Sequence, residues 1–138
     1  MSGYLSNRPV VDGIGYNSVS LIAAAAQGAG NSIAPLTKSV VVSAVTTNAD
    51  DFIVLPSLAS VPNGHRITII GSASSNFEVR TPSASAEEIN SEDCDGTKEY
   101  LFTDTQIHYF TKINNTIGWM GNGYSAIGAV VTAVVPDA

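Results

Sequence analysis

Short runs in which every second residue is apolar alternate along the chain with breaks rich in Pro, Gly, Asn and Ser. Two such runs, residues 52–55 and 66–70, flank a loop containing Pro56, Pro62, Asn63 and Gly64. Side chains alternate with period two along a strand, so Phe52 and Val54 share one face of the first run, and Ile67 and Ile69 share one face of the second. Pro56 removes a ladder donor and ends the first run, and Pro62, Asn63 and Gly64 supply turn chemistry before the second. The pattern predicts two strands whose mutual pairing sets the register of everything downstream.

Further runs fall at residues 39–46, 77–81, 99–102, 106–112 and 117–120. In the second of these, Phe77 and Val79 are expected inward and Glu78 and Arg80 outward. Residues 82–97 read as a long polar connection, and Asn114, Asn115 and Thr116 as a turn. Short strands separated by frequent turns predict an all-β fold, a small antiparallel β-sandwich or barrel, over residues 36–120. Phe52, Val54, Ile67, Ile69, Phe77, Val79, Leu101, Tyr109 and Trp119 form its expected core.

The two ends differ from this body. Residues 1–35 are rich in Gly, Ser, Asn and Ala, and residues 17–27 have the makings of one short helix. Asn17 or Ser18 caps it, the alanines at 23–26 favour it and Gly28 stops it. Isolated helices shorter than about 12–15 residues are marginal in water. Residues 1–35 are therefore expected as an N-terminal arm that orders on a partner, with Leu5, Val10, Val11, Ile14, Tyr16, Leu21 and Ile22 as contacts, a disordered leader being the alternative. Residues 121–138 form an expected C-terminal tail strand, uncharged before Asp137 and carrying Ile127, Val130 and Val131. Such a strand aggregates if left bare, so its own sheet or another subunit is expected to cover it. A body this small buries a modest share of its surface, which favours a homo-oligomer.

Composition narrows the function. Charged residues make up 13% of the chain, against about 25% in an average domain, which suits a surface largely taken up by neighbours. With a net charge of −6 and only 6 Lys and Arg, a phosphate-binding surface for nucleic acid is not expected. The single cysteine, Cys94, allows no internal disulfide and no thiolate zinc site. Residues 1–9 lack a basic segment followed by an apolar run, so no signal peptide is expected. The apolar runs at 19–26 and 126–135 are too short or broken for a helical membrane span.

Candidate chemistry is sparse. The acidic stretch 87–99 has a faint calcium-loop look at Asp93, Asp95, Gly96 and Glu99, but lacks the third oxygen ligand before the glycine and the distal glutamate. It reads as an exposed, dispensable turn. His65 and His108 are the only histidines and stand at no metal-ligand spacing. His65 follows a turn glycine and is expected exposed, whereas His108 shares a strand face with Phe110 and Lys112. No Gly-x-Ser-x-Gly elbow occurs, and Gly13–Gly15 and Gly28–Gly30 lack the setting of a dinucleotide loop. Cys94 sits between two aspartates that oppose thiolate formation. No catalytic residue, metal or cofactor is expected.

In order, residues 36–120 resemble small structural proteins of tailed-bacteriophage virions. The matching pieces are Val45-Thr46-Thr47 before the acidic turn 48–51, Ile53-Val54-Leu55-Pro56, and the Gly64 to Ile69 strand. Val79 to Pro82, Ile89-Asn90 and Gly118-Trp119 follow. The charged loop 87–95 departs from the usual small, neutral one. The resemblance implies a non-enzymatic capsid decoration (cement) protein, generally trimeric or otherwise symmetric, bound to the major capsid protein on the outer surface of the virion after synthesis in the host cytoplasm. A receptor- or glycan-binding domain of a fibre or spike is the alternative it leaves, with Tyr4, Tyr16, Tyr100 and Tyr124 as candidate rim residues.

Overall fold

The computed structural model describes residues 18–47, 50–72, 75–96, 98, 100–102, 106–124 and 130–131. The described residues form an all-β protein with two sheets. The strands are β1 (Ser18–Ala23), β2 (Ser39–Val45), β3 (Phe52–Val54), β4 (Arg66–Gly71), β5 (Phe77–Arg80), β6 (Glu88–Ile89), β7 (Glu92–Asp93), β8 (Tyr100–Phe102), β9 (Ile107–Asn114), β10 (Gly118–Tyr124) and β11 (Val130–Val131). The large sheet runs β1-β2-β4-β9-β10-β6-β7, with β11 also on β10, and the small one runs β3-β5-β8.

Antiparallel pairing was the expectation, but the sheets are mixed. β1 pairs with β2, β2 with β4, β3 with β5, and β6 with β10, all in parallel. Successive passes of the chain lay β1, β2 and β4 side by side in the large sheet. The same passes bring Ser32, β3 and β5 together opposite them. The winding is therefore solenoid-like. The two strands expected to pair with each other, β3 and β4, lie in different sheets. Leu55, Pro56 and the 3-10 turn Leu58–Ser60 carry the chain across between them. A period-two pattern identifies a strand but not its neighbour, and a parallel neighbour requires the long crossover that this loop supplies. Antiparallel β8, β9 and β10 then close the winding.

The expected helix at residues 17–27 is a strand over its first half, and residues 18–34 belong to the body, not to an arm. Leu21 and Ala23 align with Val42 and Val45. Helix propensity differs by at most about 0.7 kcal/mol among ordinary residues, less than the gain from covering the buried Val40 and Val42. Asn31, itself buried, organises the following loop: its amide donates to the Ala26 and Phe52 carbonyls and its Oδ1 accepts from Gly28 N. Residues 1–17 lie outside the described residues.

One core cluster draws on both sheets. Ile67, Ile69, Phe77, Val79 and Trp119 lie in it as expected, with Ile53, Ile89, Cys94, Tyr100, Phe102 and Phe110. Four expectations invert. Ile53 belongs to the core cluster, while Phe52 and Val54, also buried, face the other way. Phe52 lies under the Arg80 guanidinium at 4.1 Å. Leu101 is 45% exposed, because Tyr100 and Phe102 on either side take the interior. Glu78 is buried rather than outward, its Oε2 accepting from Arg80 Nη2 at 2.7 Å. Tyr109 is half-exposed, with His108 and Phe110 inside.

Two local devices fix the far end of the large sheet. Asn90 and Ser91 both take positive φ in the two-residue turn between β6 and β7, as a type I′ hairpin requires. The Asn90 amide bonds both backbone groups of Gly121, so the turn is riveted to β10. Gly118 has φ +81, and a Cβ there would run into the Glu88 backbone.

Candidate interaction surface

The surface that stands out is the outer face of the large sheet, and strand β9 shows why. Its inward set is His108, Phe110 and Lys112, whereas Ile107, Tyr109, Thr111 and Ile113 point outward. The more apolar set thus faces away from the core. The inversion holds because the interior supplies specific partners for both inward polar groups. The Lys112 ammonium donates to the Leu58 carbonyl at 2.6 Å and to that of Val61 at 2.7 Å, closing off the end of the 3-10 turn. Tyr100 Oη bonds His108 Nδ1, and His108 Nε2 lies 2.7 Å from Gln106 Oε1. An amide oxygen only accepts, so Nε2 carries the proton, and the Tyr100 hydroxyl donates to a neutral ring. Burial lowers the His108 pKa to about 4 and raises that of the Tyr100 hydroxyl above its ordinary value.

Cross-strand register extends the outer face in rows. Val41, Ile70 and Ile107 align across β2, β4 and β9. Ser39, Thr68, Tyr109 and Asn122 make the next row, and Arg66, Thr111 and Met120 the third. Ile107 is 39% exposed and Met120 48%. Arg66 is the one charged side chain pointing outward from β1, β2, β4, β9 and β10 among the described residues. It donates from Nε to Thr111 Oγ1 and lies 5.4 Å from the centre of the Tyr109 ring. Beyond β10 the face turns acidic. Glu88 and Asp93 are paired opposite one another, and Ile89 beside Glu88 is buried, so both carboxylates are on the outward side.

The acidic stretch is not the wholly exposed turn that its sequence suggests. It contains β6 and β7 and inserts Ile89 and Cys94 into the core. Glu87 Oε1 accepts from Leu58 N at 3.1 Å. Burial raises the Glu87 pKa, opposed by that hydrogen bond and by the nearby Lys112 charge. Among the described residues no group of three or more His, Cys, Asp and Glu side chains could hold a metal ion. His65 is half-buried, with Nε2 on the Thr37 carbonyl.

The partner-contact residues expected from sequence scatter. Ile22 is 49% exposed at the β1 end of the outer face, paired with Ala44, while Leu21 turns toward the core. Val130 and Val131 form β11 against Tyr124 and Gly123. Leu5, Val10, Val11, Ile14, Tyr16 and Ile127 lie outside the described residues, as do Tyr4 and most of the tail. Tyr100, a candidate rim residue, is fully buried. Sequence reasoning missed Ile107, Ile113 and Met120, although the signal was present: both alternate sets of β9 contain bulky apolar residues, which is unusual for a strand with one wet face. A scan against protein-family models finds no match to this chain, and a search of curated proteins finds none either.

Proposed function

We propose that this chain is a non-enzymatic structural protein of a bacteriophage virion, a capsid decoration protein that binds the major capsid protein and stabilises capsomer contacts from outside. The observation that carries the reading is the inverted strand β9, which places Ile107, Tyr109 and Ile113 on the outside and His108 and Lys112 within. An outer sheet face with a single charge across β1, β2, β4, β9 and β10 among the described residues suits docking to other subunits, and docking is what a cement protein does. The order of sequence segments that resemble such proteins supports the same reading. Many modest contacts, repeated by symmetry, supply the binding energy with no covalent step.

Attachment to the shell is assigned to the N-terminal segment, through Leu5, Val10, Val11, Ile14 and Tyr16, and self-association to the body. The test is addition of purified protein to capsids that lack it. Co-sedimentation and a higher temperature of capsid disruption are expected, and the absence of both overturns the reading. Copy number in purified particles separates it from a fibre or spike domain: decoration requires hundreds of copies per particle, a fibre only tens.

A further inference from the structure

We infer that the outer face of the large sheet is a self-association surface, occupied by a second copy of this chain across a two-fold axis that runs along the strands between β9 and β10. The inference deepens the proposed function and rests on its reading of this face as a docking surface. Three observations lead to it.

The first is the symmetry of the strand order. The β9–β10 pair is flanked by β4 on one side and β6 on the other. A two-fold axis lying in the face between β9 and β10 therefore lays β4 of one copy over β6 of the other, twice. The second is charge. Arg66 projects from β4, and Glu88 from β6, with Asp93 beside it on β7. The same rotation brings the guanidinium of each copy towards the carboxylates of its partner. Along the strands the two groups are slightly out of step: Arg66 is level with Met120, and Glu88 with Gly118. Two residues span about 7 Å, within reach of two long side chains meeting from opposite sheets. In a chain of net charge −6, a central band without carboxylates is where two copies approach with least repulsion.

The third is the chemistry at the axis itself. Tyr109 and Thr111 on β9 lie opposite Asn122 and Met120 on β10, so the residues nearest the axis are uncharged. Because β6 and β7 are two residues each, the overlap centres on β4, β9, β10 and β6, about 19 Å wide and at most about 17 Å long. That gives roughly 300 Å² per copy, or about 600 Å² in total, the size of a weak, transient contact. The association is accordingly weak, in the micromolar range, and is strengthened where subunits are already concentrated on a shell.

The test measures mass by sedimentation equilibrium over the micromolar range for the full chain and four variants, with circular dichroism as the folding control. The wild type is expected to dimerise. Arg66→Glu and Glu88→Arg each place like charges together and weaken the dimer by about tenfold or more. The double variant restores it to within about threefold. Met120→Lys, at an exposed site that leaves the fold intact, abolishes it. A monomeric wild type, a trimer, a dimer that survives Met120→Lys, or a double variant no tighter than the singles each overturns the inference. Capsid binding is read separately: a monomer that still stabilises capsids sinks this interface and leaves the decoration reading standing, and a charge-rescued dimer that ignores capsids does the reverse.

Discussion

The two faces of β9 divide the work of the molecule between them. Inward, His108 and Lys112 are held by named hydrogen-bond partners and Phe110 packs edge-on against Tyr100 at 4.7 Å. Outward, Ile107 and Ile113 are each 39% exposed. A polar group is stable inside only where its donors and acceptors are met, and an apolar group outside adds little to the stability of one subunit. The contrast teaches that apolarity alone does not locate the core of this protein. Internal partners decide which set goes in, and the displaced apolar set becomes available for contact with other molecules.

The largest effect is expected from the interior. Trp119→Ala and Phe77→Ala, both at fully buried sites, should each cost about 3–5 kcal/mol, seen as a large drop in the midpoint of thermal or urea unfolding. Unchanged midpoints would reverse the assignment of inner and outer faces.

Acid probes the same interior more gently. The His108 pKa falls from its ordinary 6.5 to about 4 in the fold, so the folded state holds the neutral ring. The stability it contributes is complete above pH 6.5 and is lost as pH falls towards 4, by about 3 kcal/mol for such a shift. The raised Glu87 pKa works in the opposite direction, since the folded state then favours the protonated acid. Its contribution is present at low pH and lost as pH rises, so it softens the acid loss near the carboxylate range. Unfolding free energy followed from pH 7 to pH 4 should decline in the wild type and decline less in His108→Gln. Equal slopes would remove His108 as the cause.

At the edge between the faces, Gly118→Ala should cost about 1–3 kcal/mol, through a left-handed backbone that alanine resists and the close Glu88 backbone. Chemical denaturation measures it, and a neutral result would mean that the β6–β10 contact yields easily. The smallest effect on folding belongs to the outer face. Ile107→Ser should shift subunit stability by no more than about 0.5 kcal/mol while reducing self-association. A large loss of stability in the dilute monomer would mean that Ile107 serves the fold instead.

Much of the strand content was legible. β2, β4, β5 and β10 begin within a residue or so of the expected positions, because Pro35, Gly64 and the Asn114 turn mark the chain before three of them. Asn114 Oδ1 accepts from both Thr116 N and Ile117 N, which makes that turn a local property. The contact surface was less legible. Its rows join residues from β2, β4, β9 and β10, and no window along the chain contains them together. Leu101 and Tyr109 were misplaced because the flanking residues Tyr100, Phe102 and Phe110 compete for the same interior.

Composition and periodicity by themselves determined that residues 36–120 are built of strands, where most of those strands fall, and that the chain is poor in charge. These properties reside in single residues and their nearest neighbours. Tertiary structure alone decided that β1 is a strand and not a helix, that β3 and β4 part into different sheets, and that His108 and Lys112 go inside. Each of those outcomes depends on a partner far along the chain: Val42 for Leu21, Val79 for Ile53, the Leu58 carbonyl for the Lys112 ammonium. Periodicity reports that a side chain has two faces to choose from. The energy that chooses between them comes from groups that only folding brings within reach.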